Sequence, residues 1–191
     1  FNQDAQRWKW EVNLLSSKSV NAFCMPGGKI AFFTGILDTL QLTDDEVAAI
    51  MGHEIAHALL EHGRARMSEQ VLKNVGVSVA ASFLGLGQIS TELLAQAANL
   101  AVSLPYARSQ ETDADLVGIE LAARAGYDPR AAVSVWKKMQ QASSGSAPGQ
   151  AARGGPPQFR STHPSHATRI KDIEANLPRV MPLYDAAARK S

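Results

Sequence analysis

The sequence predicts a mainly α-helical, α+β fold: a helical body carrying one small antiparallel β-sheet. Three observations predict it. Apolar residues recur at helical spacing through two long segments, one opening at Thr43 and one closing at Gly126. Short runs rich in β-formers flank a Pro26-Gly27-Gly28 turn. One stretch rich in Ser, Gly, Ala and Pro interrupts the second half, with too little chain beyond it for another domain. Residues 1–191 therefore read as a single domain.

The elements follow in order. Phe1 to Lys9 reads as a short helix or arm. Trp10, Val12 and Leu14 alternate with Glu11, Asn13 and Leu15, which predicts a strand. Ala22 to Met25 forms a second strand that enters the glycine turn, and Ile30 to Phe33 returns as its hairpin partner. Thr34 to Leu40 reads as a short helix. Thr43-Asp44-Asp45-Glu46 is a capping box, in which hydroxyl and carboxylate satisfy the free N–H groups of a helix start. The helix it opens runs from Asp44 to about Gln70, with an apolar stripe at Val47, Ala48, Ile50, Met51, Ile55, Ala58 and Leu59.

Val75 to Ser90 carries no charge, yet it is too short and too rich in Gly and Ser for a spanning helix. It reads as a buried or partly exposed helical segment, and residues 75–104 form a candidate contact with a membrane surface or a partner. Thr91 to Ser103 is a further helix. Arg108 begins the next, which stops at Gly126. Asp128-Pro129 restarts a helix, with Asp as cap and Pro at its first position, and it continues through Trp136 to about Gln141. Residues 143–157 read as a flexible surface loop, with a flap over the cleft as the alternative. A last helix spans roughly Ser165 to Asn176.

The chemistry concentrates at His53-Glu54-Ile55-Ala56-His57, an H-E-x-x-H motif inside the helix that follows the capping box. Two imidazoles four residues apart share one helix face, so both nitrogens can reach one zinc ion. Glu54 sits beside the metal, where it can take a proton from a zinc-bound water. The alternative is a helix with polar residues on a half-buried face.

Catalytic zinc commonly has three protein ligands. A metzincin would place glycine at position 60 and histidine at 63, where this chain has Leu60 and Gly63. His62 falls off the ligand face and reads as a solvated helix histidine. Glu111 is the better third ligand. Asp115 shares its face one turn on and can accept the free N–H of a zinc-binding imidazole. The alternative for both is an acidic, solvated first turn favoured by the helix dipole.

With these residues the chain resembles the gluzincin family of CAAX prenyl endopeptidases, HtpX heat-shock proteases and OMA-type proteases, most of all its bacterial periplasmic OMA-like members. The resemblance runs through Asn21-Ala22-Phe23, Pro26-Gly27-Gly28-Lys29-Ile30, Thr34-Gly35-Ile36-Leu37, Gly52 to His57, and Arg108 to Glu111 with Ala114-Asp115. It continues through Ala125 to Pro129 and Ser161-Thr162-His163-Pro164-Ser165 with Arg169-Ile170. It implies a zincin-like helical domain with its small sheet beside the zinc helix. It implies one Zn2+ per chain on His53, His57 and Glu111, with Glu54 as general base and Asp115 behind the ligands. It also brings His163 back to the metal, to stabilise an oxyanion or to cap the resting zinc, while Arg169 pairs with acidic groups of the site. On the residues alone, His163 is equally a loop histidine before a helix-starting Pro-Ser.

The implied activity is zinc-dependent endopeptidase action on unfolded or misfolded polypeptides in a bacterial envelope, and the opening Phe1-Asn2-Gln3, without methionine or signal sequence, reads as a mature or trimmed form. The periplasm, with or without membrane association, is the expected setting. The rival function is a latent or chaperone-like zinc module that holds clients and rarely cuts. The 45% hydrophobic content suits a real core, and a net charge of +1 without a basic run gives no sign of nucleic acid as a partner, so none is expected. Cys24, the single cysteine, rules out an internal disulfide and reads as a packed strand residue. Oligomeric state is not encoded in any of these patterns.

Overall fold

The computed structural model describes residues 2–98, 104–144, 163 and 168–189. A short 3-10 turn at Gln3–Arg7 precedes strands β1 (Glu11–Leu15), β2 (Ala22–Met25) and β3 (Lys29–Phe33). Helices α1 (Thr34–Leu40), α2 (Asp44–Leu59), α3 (His62–Phe83) and α4 (Gln88–Ala98) follow. Then come α5 (Leu104–Arg124), α6 (Ala131–Ser144) and α7 (Arg169–Ala188). The chain is mainly helical with one small sheet, as its patterning predicts.

The hairpin forms where the turn residues place it. Gly28 N–H donates to the Met25 carbonyl at 3.1 Å, and Gly27 takes φ 91°, which suits the third position of a type II turn behind Pro26. The sheet departs from expectation in one respect: it is mixed, in the order β1-β3-β2. β2 and β3 pair antiparallel, but β1 pairs with β3 in parallel, from Glu11 opposite Lys29 to Leu15 opposite Phe33. The reason lies in the connection. The segment after β1 docks on the start of α1, where Ser17 O accepts from both Gly35 N (2.7 Å) and Thr34 Oγ1 (2.9 Å). That carries the chain past the central position, and β3 fills it.

α2 starts on the predicted capping box. Thr43 Oγ1 accepts from Glu46 N, and the Glu46 carboxylate accepts from Thr43 N at 2.8 Å. Glu46 is buried, and Ser134 and Lys138 of α6 also donate to it, so the cap ties α2 to α6. α2 then crosses α5 at very short range. A Cβ on Gly52 would lie 2.5 Å from the Gly118 carbonyl oxygen, and one on Gly118 would lie 2.8 Å from His53 N. Only glycine at both positions allows these backbones to meet, and this contact sets the distance between α2 and α5.

The expected single helix from Asp44 to Gln70 is two helices. Glu61 adopts a left-handed conformation (φ 54°), so α2 ends at Leu59 and α3 starts at His62 in a new direction. The left-handed residue is itself neither glycine nor asparagine, and a left-handed glutamate is a conformation imposed by its surroundings. Glu61 Oε1 accepts from Asn2 Nδ2 at 2.8 Å, and its other oxygen lies 2.8 Å from Arg64 Nη1.

α7 also differs from expectation. It runs on to Ala188 through Pro178 and Pro182. Those prolines lack the N–H of a helical residue, but Val180 is buried and Leu177, Leu183 and Tyr184 pack on the core, so tertiary burial holds the helix. The core gathers Ile36, Ile50, Ile119, Trp136, Met139 and Ile173 from α1, α2, α5, α6 and α7.

The uncharged segment forms the end of α3 and the start of α4. It is largely exposed: Phe83 is 88% and Ile89 76% accessible. No helix among the described residues is long and apolar enough to cross a membrane. The expected loop at 143–157 lies outside the described residues beyond Ser144, as do Ser165, His166 and the expected start of the last helix.

Candidate metal centre and active site

α2 presents His53 and His57 one turn apart, and α5 presents Glu111 opposite them across the glycine crossing. His163 enters from the C-terminal segment. One donor atom from each of these four side chains lies within 4.8 Å of all the others. His53 Nε2 is 3.1 Å from His57 Nε2 and 3.2 Å from His163 Nδ1. The Glu111 oxygens approach His53 Nε2 and His57 Nε2 at 3.4 Å each, and His163 Nδ1 at 3.1 Å.

Three imidazole nitrogens and a carboxylate thus point at one another inside the protein. Imidazole lone pairs repel in such an arrangement unless a proton or a cation lies between them. Nitrogen and oxygen donors in this number suit zinc. The residues present fit a single metal ion.

The clustered side chains are themselves held. Asp115 Oδ1 lies 3.0 Å from His53 Nδ1, the nitrogen facing away from the cluster. Arg169, buried at 1% exposure, donates through Nε and Nη2 to both Asp115 oxygens at 2.6 Å each and through Nη1 to Glu111 Oε2 at 3.0 Å. Its guanidinium stacks 3.7 Å over the Trp136 ring. So Asp115 and Arg169 both sit behind the clustered donors.

Two further contacts escape the sequence reading. His62 is buried rather than solvated: its Nδ1 lies 2.8 Å from His57 Nδ1. In one continuous helix these residues would be about 140° apart around the axis. The left-handed Glu61 brings them together, and no pattern in the sequence announces it. Arg66, one turn further along α3, donates to Glu111 Oε1 at 2.9 Å and to Gln110 Oε1 at 2.7 Å.

Electrostatics follow from burial and these partners. Burial opposes charge on His53, but contacts with Asp115 and Glu111 prevail and raise it to about 9. Burial instead lowers His57 to about 3 despite Glu111. Burial raises the Glu111 carboxyl less than His163, His53 and His57 lower it, so it stays ionised. Asp115 is likewise held below the usual range, since His53 and Arg169 outweigh its burial. Glu54 moves the other way. Burial raises it above the ordinary glutamate value although His163 and His53 pull it down. Its Oε1 lies 3.3 Å from His163 Nε2.

Glu54, His57 and His163 open onto a cleft of about 360 Å³, walled by Cys24 and Pro26 of the hairpin and by His62 and Arg66 of α3. A larger groove of about 710 Å³ lies between α3 and α4. Its lining, including Leu72, Val77, Ala80 and Leu94, shares no residue with the metal cluster, so the smaller cleft is the one next to the chemistry.

The profile of Peptidase family M48 matches residues 2–177. The chain is 38% identical over 171 residues to the mitochondrial metalloendopeptidase OMA1 of Schizosaccharomyces pombe, covering 89% of this chain and 47% of that protein. It is 37% identical over 162 residues to the mitochondrial metalloendopeptidase OMA1 of Arabidopsis thaliana, covering 85% of this chain and 30% of that one. The Bos taurus mitochondrial metalloendopeptidase OMA1 is 32% identical over 186 residues, covering 92% of this chain and 34% of its own length. The chain thus spans less than half the length of these relatives. Fungal, plant and animal matches named as mitochondrial overturn the expected bacterial periplasmic setting, which rested on likeness alone. The match across residues 2–177 means that the chain belongs to peptidase family M48.

Proposed function

We propose that this chain is a zinc-dependent metalloendopeptidase acting on unfolded or misfolded polypeptides, with residues 1–191 as one catalytic domain. The observation that carries the reading is a buried His-His-Glu set beside a second carboxylate, Glu54, that burial makes more basic. A site built only to bind zinc has no chemical need for such a base.

His53, His57 and Glu111 hold the ion in this reading, and zinc is the metal of the family. When bound, zinc polarises the substrate carbonyl and makes a water molecule more acidic. Glu54 takes the proton of the attacking water and later delivers it to the leaving amine. Asp115 orients His53, and Arg169 holds Asp115 and Glu111 in place. β2 is an edge strand, and its Cys24 borders the cleft next to Glu54. An extended substrate segment pairing with that edge would run past the general base, and backbone pairing accepts many sequences.

A second reading concerns the resting state. His163 Nδ1 joins the donor cluster and its Nε2 faces Glu54, which supports a cap on the metal that must move for substrate to enter. The chain is then a latent peptidase, and until opened it acts as a client-binding module.

The test is metal dependence. The zinc-loaded chain should cleave casein, lose that activity on zinc removal, and regain it with one equivalent of zinc. Cleavage that survives complete metal removal would contradict the proposal.

A further inference from the structure

The second zinc-facing histidine, His57, needs a proton on Nδ1 if its Nε2 lone pair is to face the ion. A buried imidazole N–H also needs an acceptor. His53 has Asp115 in that place, 3.0 Å away. Among the described residues, no carboxylate is paired with His57 Nδ1. The atom found there is His62 Nδ1, at 2.8 Å, with the two ring centroids 4.9 Å apart.

We propose that His62 is a positioning residue for the metal centre: its Nδ1 accepts the Nδ1–H of His57 and so fixes the tautomer that turns Nε2 toward zinc. The inference rests on His53, His57 and Glu111 as the ligands. It gives the α2–α3 break a purpose, because only the left-handed Glu61 brings residue 62 back onto residue 57. The first turns of α3 then support two ligands at once, His57 through His62 and Glu111 through Arg66.

The two imidazole ligands are supported differently. Asp115 behind His53 is an anion already neutralised by the Arg169 fork. His62 offers a neutral acceptor. It orients His57 without adding a negative charge to a site that already holds Glu54, Glu111 and Asp115 within the protein. A histidine accepting through Nδ1 must carry its own proton on Nε2, and His62 is one of the residues that line the cleft.

The test compares His62→Asn with His62→Leu. These side chains have nearly the same shape, but only asparagine places an acceptor oxygen where Nδ1 sits. Zinc affinity is measured by chelator competition on the full chain, with folding of each metal-free variant followed by circular dichroism. The expected result is a Kd about 10–100-fold weaker for His62→Leu, with His62→Asn within about threefold of wild type. Equal affinities in the two variants, whether both weakened or both unchanged, would overturn the inference, because volume and not the acceptor would then be what matters.

A measurement on the unsubstituted protein covers the case in which either variant fails to fold. Long-range 1H–15N correlation of the imidazoles in the zinc-loaded chain should show His62 protonated on Nε2 and His57 on Nδ1. A proton on His62 Nδ1 would overturn the inference. Wild type failing to bind one zinc would instead remove the ligand assignment itself, and this inference with it.

Discussion

Arg169 grips Asp115 with two hydrogen bonds of 2.6 Å, Nε to one oxygen and Nη2 to the other. The pair fastens α7 to α5 directly behind His53. Arg169→Met keeps most of the stem but removes the guanidinium that binds both oxygens of the buried Asp115, leaving only His53 beside it. Breaking one side of a buried pair costs about 3–5 kcal/mol. The urea unfolding midpoint of the metal-free chain should fall accordingly. Because the Asp115 pKa is depressed from 3.8, its contribution is present above that value and is lost as pH falls through the lower folded value. The wild-type advantage over Arg169→Met should therefore shrink under strong acid. An unchanged midpoint at neutral pH would contradict this account.

The Gly52–Gly118 crossing carries a second prediction. A Cβ at Gly118 would meet His53 N at 2.8 Å and His53 Cα at 2.9 Å, backbone atoms that cannot rotate away. Gly118→Ala should destabilise the chain by about 1–3 kcal/mol and separate Glu111 from the histidines. Zinc affinity and thermal stability should fall together. A variant as stable and as tightly metallated as wild type would show that the helices have room to spare.

Cys24 reports on the cleft from the strand side. Burial, with a smaller push from the Glu54 charge, raises its thiol to about 11. A raised pKa leaves little thiolate at neutral pH. Iodoacetamide labelling should therefore be slow at pH 8 and rise about tenfold per pH unit up to pH 10. Glu54→Gln removes the nearby charge and should speed labelling at fixed pH. A rate that levels off by pH 9 would mean that the thiol is not buried against Glu54.

Much of this arrangement could be read from spacing. His53 and His57, and Glu111 and Asp115, share faces because each pair is four residues apart in a helix, and the capping box at Thr43 marks where α2 begins. What the sequence hid came from irregular backbone. A glutamate in a left-handed conformation carries no composition signal, so neither the burial of His62 nor the contact of Arg66 with Glu111 can be read from the spacing. The parallel pairing of β1 depends on how Ser17 docks at α1, a tertiary contact with no local pattern. α7 outlasts two prolines because burial outweighs propensity.

His163 tests whether the resting site is closed. Its Nδ1 lies 3.2 Å from His53 Nε2 and 3.1 Å from Glu111 Oε2. If it caps the metal, His163→Ala should raise casein turnover several-fold while lowering zinc affinity. Loss of turnover with zinc affinity unchanged would assign it to transition-state stabilisation instead.

The most direct test of the central claim is casein cleavage by wild type and Glu54→Gln at equal, measured zinc content. Glu54→Gln keeps the side chain's size and leaves every proposed ligand in place, yet removes the base. Cleavage by wild type with at least a hundredfold loss in Glu54→Gln, at one zinc per chain in both, is the predicted result. Equal cleavage by the two proteins would contradict the account.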